Sequence, residues 1–284
     1  MEQNGCYVKM KNTLDTLPPT ERRIASYILG DPESVIGMPI DMLATKCATS
    51  KASVVRLCKS LGYRGYKQFC IELASDLAVS SHIKYTYEDV HPGDDLRSIV
   101  ENVCQNNIRT LQESMAVMDL AALDTAVQAI TAAPRVDFYG LGTSGIVAID
   151  AQNKFLRINK VSFASADPHL QILSASSLRP GDVAVLISYS GETRDIFDTL
   201  AIVRESGATS VSITRYGPNR LSRQADISLY TSSQESFIRS GAMSSRIGQL
   251  NVVDMLYTAV VSNEYDAVKE HLDRTLRSSR SKHG

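Results

Sequence analysis

From residue 135 onward, short apolar and β-branched runs alternate with longer segments repeating at helical spacing, and that alternation leaves few folds open. The runs Val136–Tyr139, Val161–Ala164, Asp182–Ile187, Ser210–Thr214 and Ile227–Tyr230 predict five strands. Helices are expected over Ser144–Arg157, after Asp167-Pro168, and over Thr193–Glu205. Strands in this order form a mostly parallel sheet covered on both faces, because each crossover is right-handed and packs its helix back on the sheet. A last helix is expected over Ser245–Val261, ahead of a mobile Ser/Arg/Lys-rich tail from Arg277.

The first part of the chain has a different grammar. Pro18-Pro19-Thr20 opens a helix carrying Ile24, Tyr27 and Ile28 on one face, and Gly30-Asp31-Pro32 ends it. Pro39 introduces Ile40–Cys47, Ala48-Thr49 makes a turn, and Ser50 is the expected N-cap of Lys51–Leu61. Residues 1–79 therefore read as an α-helical domain and 80–95 as a linker containing Pro92 and Gly93. Residues 96–284 read as the α/β domain, which begins with two helices bearing Leu96, Ile99, Val103, Ile108, Leu111 and Met115, then Leu120, Leu123, Val127 and Ile130. At 284 residues there is length for two such cores.

Two short helices joined by a turn between Ile40 and Leu61 have the size of a helix-turn-helix. Leu43, Ala44, Cys47, Val54, Leu57 and Leu61 can pack the pair together. From Lys46 to Lys67 there are six basic residues and no acidic one, in a chain whose net charge is only -1. That local imbalance suits a phosphate backbone. The second helix offers Ser50 outward at its start for DNA contact, Lys51, Ala52, Ser53 and Arg56 are placed to reach base edges, and Lys46, Lys59, Arg64 and Lys67 to meet phosphates. A helical bundle with a solvated basic face, docking a partner, is the alternative.

Two glycine- and hydroxyl-rich loops close strands in the second part: Gly140-Leu-Gly142-Thr143-Ser144-Gly145 and Ser188-Tyr-Ser190-Gly191-Glu192-Thr193. Each opens a helix, and helix N-termini favour anions. The first loop also matches the dinucleotide fingerprint, with Asp167 further on as its acidic partner. Against a dinucleotide, Thr143 and Ser144 put hydroxyls where a Rossmann loop offers bare backbone, and the second loop would have no purpose. Plain strand-to-helix turns remain the bland alternative.

Together the loops resemble those of the SIS (sugar isomerase) domain, which hold the phosphate of a phosphosugar in glucosamine-6-phosphate synthase and related isomerases. The helical part, including Ser53-Val-Val-Arg56-Leu-Cys-Lys59-Ser-Leu61-Gly62-Tyr-Arg-Gly65-Tyr-Lys-Gln-Phe69, resembles the helix-turn-helix of the RpiR/MurR family of bacterial regulators. The resemblance implies an α-helical DNA-binding domain followed by a SIS fold with a five-stranded parallel sheet flanked by helices. It places the phosphate on Thr143, Ser144, Ser188, Ser190 and Thr193, near Gly142 and Gly191, with His169, Glu235 and Arg239 as rims for the sugar. Surface roles for those three are the alternative. It implies a regulator of carbohydrate or amino-sugar metabolism that binds a double-stranded DNA operator as a homodimer or higher oligomer. Its effector would be a phosphosugar, an amino-sugar 6-phosphate among the candidates, with no catalytic residues and no cofactor. A SIS-type isomerase with an accessory helical domain is the enzyme alternative.

Composition narrows the remaining classes. Five cysteines form no CxxC pair, which argues against a zinc site and a disulfide framework and for buried thiols in a reducing cytoplasm. No apolar run approaches the ~20 residues that a membrane span requires.

Overall fold

The computed structural model describes residues 5–80, 93–232 and 242–280. Helices in the N-terminal part are α1 (Cys6–Thr13), α2 (Pro19–Gly30), α3 (Pro32–Val35), α4 (Ile40–Lys46), α5 (Lys51–Ser60), α6 (Tyr66–Ser80) and α7 (Leu96–Val117), with a 3-10 turn at Leu14–Thr16. The C-terminal part follows as α8 (Leu120–Ala132), β1 (Arg135–Gly140), α9 (Thr143–Arg157), β2 (Val161–Ser165), α10 (Pro168–Ala175) and β3 (Val183–Ile187). It continues through α11 (Arg194–Ser206), β4 (Thr209–Arg215), α12 (Arg220–Gln224), β5 (Ile227–Thr231), α13 (Met243–Asn263) and α14 (Tyr265–Arg280).

The described residues divide into two compact units, and the division falls after Val117; Tyr216–Pro218 group with the first. Helix α7, expected with the α/β domain, clusters with the N-terminal helices instead. Its Arg109, Thr110, Ser114 and Val117 are buried, and the Gly5 amide donates to the Ala116 carbonyl at 3.2 Å. Leu96, Val100 and Met115 on its other faces stay exposed. Residues 81–92, which hold most of the expected linker, lie outside the described residues.

The helical unit is organised around one apolar cluster. Met10 of α1, Ile24 and Ile28 of α2, Leu43 of α4, Val54 and Leu57 of α5 and Phe69 of α6 are all fully buried in it. Helix α4 ends at Lys46, the turn places Ala48 at φ 46°, and α5 starts under a Ser50 cap whose Oγ accepts from the Ser53 amide at 3.3 Å. Beyond Ser60 the Gly62 amide donates to the Lys59 carbonyl and Tyr63 to that of Cys58, the paired bonds of a Schellman stop. Cys6, Cys47 and Cys58 are buried, and burial pushes the Cys58 thiol up to about 12, well away from reactivity. Cys104, expected to be buried like the others, is exposed on α7.

In the second unit all five strands are parallel, in the order β2-β1-β3-β4-β5. The most apolar strand, β3, lies at the centre and is buried on both faces, as a parallel sheet requires. Alternation sends Val136, Phe138, Val183, Val185, Ile187, Val211 and Ile213 to one face against α8, α9 and α13. Tyr139, Ala184 and Leu186 go to the other face, against α10, α11 and α12. Because β1 is followed by β2 on one side and β3 on the other, crossovers diverge at β1/β3 and leave a crevice at the carboxyl ends there.

Three helices lie outside the expected ones. Helix α1 starts at Gly5 without a side-chain cap, α12 has only five residues, and α14 carries its apolar stripe within a segment that is polar on average. The tail expected to be mobile from Arg277 is helical through Arg280. Among the described residues no single helix is long and apolar enough to cross a membrane, and no cluster of His, Cys, Asp and Glu has the grouping of a metal site.

Candidate functional site

The crevice at β1/β3 is a cavity of about 420 Å³ lined by Leu141, Gly142, Thr143, Ser144, Ile187, Ser188, Tyr189, Ser190, Thr193, Ala242 and Ser245. The first loop is built by close approach. A Cβ on Gly140 would stand 2.5 Å from the Ser144 carbonyl, so only glycine lets the end of β1 lie against the first turn of α9. Gly142, the N-cap of that helix, has no side chain to occupy the free amides of the first turn. Gly140 and Gly145 of the dinucleotide fingerprint thus serve helix–strand packing here, whatever ligand the loop holds.

In the second loop Ser188 Oγ lies 3.0 Å from Thr193 Oγ1, and Ser190 Oγ accepts from the Glu192 amide at 3.1 Å. Thr193 is the N-cap of α11, yet with its hydroxyl turned to Ser188 it makes no side-chain capping bond. The loop is pinned to β4, where the Arg215 amide donates to the Tyr189 carbonyl at 2.9 Å. Glu192 turns away from the cavity and accepts from the Arg220 amide of α12 at 2.8 Å, so it anchors the turn.

Helix α13 supplies a third wall. Its N-cap Ala242 and first-turn Ser245 line the cavity, and Gln249, one turn further, hydrogen-bonds Ser144 from inside. Three helices therefore begin at one crevice among hydroxyls, and no charged side chain belongs to its described lining. Such a site suits an anion held by neutral donors and aligned helix dipoles.

The structure brings Gly142, Thr143, Ser144, Ser188, Ser190 and Thr193 to one cavity; Gly191 lies buried behind it, against Asn219. His169 is exposed on the first turn of α10, its amide bonded to Asp167 Oδ1 at 2.8 Å, and does not line the cavity. Glu235 and Arg239 lie outside the described residues. Ala242, Ser245 and Gln249 were not singled out from the sequence; the hydroxyl pair Ser244-Ser245 at the start of a helix was the available hint.

In the helical unit, Lys46, Ser50, Lys51, Ala52, Arg56, Lys59, Arg64 and Lys67 are all exposed. Ser53 is not: it is 4% exposed, and its Oγ contacts Ser50 Oγ at 3.1 Å and accepts from Arg56 Nη2 at 2.9 Å. It therefore holds the helix start and the Arg56 guanidinium rather than reaching outward. Lys51 pairs with Asp41 across the turn, and the Arg23 guanidinium donates to the Ala48 carbonyl at 2.9 Å, fixing α2 to the same turn.

An N-terminal helix-turn-helix followed by an α/β unit with a hydroxyl-lined crevice defines a two-part protein of the regulator class. The rpiR-family helix-turn-helix domain matches residues 5–80 and the SIS domain matches 129–259. An HTH-type transcriptional regulator of Caldanaerobacter subterraneus subsp. tengcongensis is 39% identical over 90% of each chain, and HexR of Escherichia coli is 32% identical over 94% of this chain and 91% of its own. The solved structure of Vibrio vulnificus NanR complexed with ManNAc-6P has a TM-score of 0.60 at 27% identity, covering 96% of this chain and 97% of that one. The sugar isomerase domain of an RpiR transcription factor from Sphaerobacter thermophilus shares the second fold, with a TM-score of 0.58 at 22% identity over 63% of this chain and 98% of its own. The chain belongs to the RpiR family of HTH-type transcriptional regulators.

Proposed function

We propose that this protein regulates carbohydrate or amino-sugar genes from the cytoplasm, binding operator DNA through its helical unit and a phosphosugar in the β1/β3 crevice. One observation carries the ligand half: three helix N-termini and the hydroxyls of Thr143, Ser144, Ser188, Ser190, Thr193 and Ser245 meet at one cavity whose lining among the described residues has no charged side chain. A phosphate monoester matches that donor set. The NanR relative, solved with ManNAc-6P, supports an amino-sugar 6-phosphate as the first class to try. The described lining holds no carboxylate or imidazole to move a proton, which favours a sensor over an isomerase.

The DNA half rests on the exposed basic row Lys46, Lys51, Arg56, Lys59, Arg64 and Lys67, with Ser50 and Ala52 at the start of α5. Two copies, paired through exposed apolar residues such as Leu96, Val100 and Met115 of α7, present two such rows to a near-palindromic site. A ligand that binds the two arrangements with a difference of ~1–3 kcal/mol shifts operator affinity about 5–150-fold.

Two experiments test the halves separately. With an operator isolated by selection from random duplexes, Lys51→Glu with Arg56→Ala is expected to weaken DNA binding about 30-fold and lower the salt slope, with the thermal midpoint unchanged. Operator affinity within threefold of the parent would remove the basic row from the interface. Ser144→Ala with Ser190→Ala is expected to cost about 2 kcal/mol of phosphosugar affinity by calorimetry, while operator binding persists. An undiminished heat of binding would move the phosphate elsewhere.

A further inference from the structure

Gln249 is buried to 1% exposure in the second turn of α13, 105 residues from the serine it touches. Among the described residues its side-chain amide meets one group, the hydroxyl of Ser144, itself 7% exposed and on the cavity wall. Both amide atoms are within hydrogen-bond range of it: Ser144 Oγ reaches Oε1 at 3.2 Å, and Nε2 reaches Ser144 Oγ at 3.1 Å. One carboxamide presents both atoms to the same side of the hydroxyl, so the serine proton and the Nε2 proton compete for the space between them and only one of these bonds forms at a time. If Nε2 donates to the serine oxygen, the serine proton is free for the cavity. If the serine donates to Oε1, its lone pairs face the cavity and an anion there is repelled.

We infer that Gln249 is a positioning residue of the anion site: its carboxamide orientation decides whether Ser144 offers a proton or a lone pair to the ligand. The inference rests on the phosphosugar reading of the crevice. An ionised phosphoryl oxygen only accepts, so its arrival selects the state in which Nε2 faces Ser144. The same helix contributes Ala242 and Ser245 to the lining, so the selection is registered along α13, which packs on α8 and α9 beneath the sheet. A ligand whose nearest oxygen carries a proton can meet either state and gains less.

The test uses the full chain, with glucosamine 6-phosphate and inorganic phosphate as calorimetric probes at pH 5.5 and pH 8. Gln249→Met keeps the volume and removes both hydrogen-bonding atoms; about a fivefold loss is expected at both pH values. Gln249→Glu can only accept when ionised. It is expected to lose about 100-fold relative to the parent at pH 8 and to recover about tenfold of that at pH 5.5, where a protonated carboxyl again donates to Ser144. A carboxylate acting only through its charge keeps its pH dependence in a Ser144→Ala background, whereas one acting through the Ser144 hydroxyl loses it there. In a Ser144→Ala background, Gln249→Met is expected to add nothing further. A flat ratio for Gln249→Glu, or losses at Ser144 and Gln249 that simply add, overturns the inference while leaving the phosphate site in place. If the parent protein binds neither probe, the phosphosugar reading fails and takes this inference with it.

Discussion

Gly191→Ala is expected to destabilise the second unit by about 3 kcal/mol and to remove the ligand response with it. Gly191 has φ 64°, in the left-handed region, where a side chain costs ~1–2 kcal/mol. A Cβ there would also stand 2.1 Å from Asn219 Oδ1. That oxygen accepts from the Ser222 amide at 2.8 Å as the cap of α12, and Asn219 Nδ2 donates to Thr214 Oγ1 at 2.9 Å. Asn219 is 4% exposed, so it yields only by giving up the cap and the bond to β4. The Gly191 amide closes the Ser188 turn at 3.1 Å and its carbonyl holds the Leu221 amide at 3.0 Å, so the strain enters the hydroxyl loop directly. Urea denaturation followed by circular dichroism measures the loss. The variant Asn219→Ala alone should cost about 1 kcal/mol, and the double variant less than the sum, because removing the amide relieves the clash. A loss below about 1 kcal/mol for Gly191→Ala would mean that the loop is not held in this conformation.

What local pattern can encode was readable before folding, and what depends on distant packing was not. The β3 run is apolar enough to be a central strand, and the glycine-hydroxyl loops mark both edges of the crevice because each closes a strand and opens a helix. Ser50 and Gly62 bracket α5 by their own chemistry. By contrast, Ser245 and Gln249 reach the crevice only because α13 returns beneath the sheet, and no spacing within α13 records which residue it will face. The outward expectation for Ser53 failed because a serine three residues after a capping serine can turn back into the cap as readily as outward. Helix α14 escapes a reading by overall polarity, although its apolar residues recur at helical spacing. Helix α7 was grouped with the sheet on continuity of sequence, whereas its buried residues meet α1. Sequence order says where a helix starts, and tertiary contacts decide which core it joins.

Asp137→Ala is expected to cost about 3–5 kcal/mol, the largest single loss in the α/β unit. Asp137 sits inside β1 with no exposure, an unusual place for a carboxylate, and both of its oxygens accept hydrogen bonds there. Arg135 grips it bidentately, with Nε on Oδ1 at 2.9 Å and Nη2 on Oδ2 at 2.8 Å. The Tyr139 hydroxyl donates to Oδ2 at 2.8 Å, and the Ser174 hydroxyl of α10 reaches the same oxygen at 2.5 Å. Hydrogen bonding to Asp137 raises the Arg135 guanidinium above its ordinary value, and burial, then the Asp137 charge, raises the Tyr139 phenol. Removing the carboxylate takes the acceptor from four N–H and O–H donors on three side chains, two of which are fully or nearly fully buried, which is why breaking such a pair costs far more than its net stabilisation when intact. Asp137→Asn keeps the shape and one acceptor, so about half the loss is expected; Tyr139→Phe, which removes one bond and strands one acceptor site, should cost about 1–2 kcal/mol. Chemical denaturation of the three variants checks the order. If Asp137→Ala and Tyr139→Phe prove equal, the charge contributes nothing beyond one hydrogen bond and the network is not cooperative. The functional consequence runs through α10. Gln171 on that helix donates from Nε2 to the carbonyls of Gly140 and Ser165 at 2.8 and 2.7 Å, joining the carboxyl ends of β1 and β2 beside the first hydroxyl loop. A loosened α10 therefore releases the strand ends that frame the crevice, and ligand affinity is expected to fall in Asp137→Ala even at temperatures where the protein remains folded.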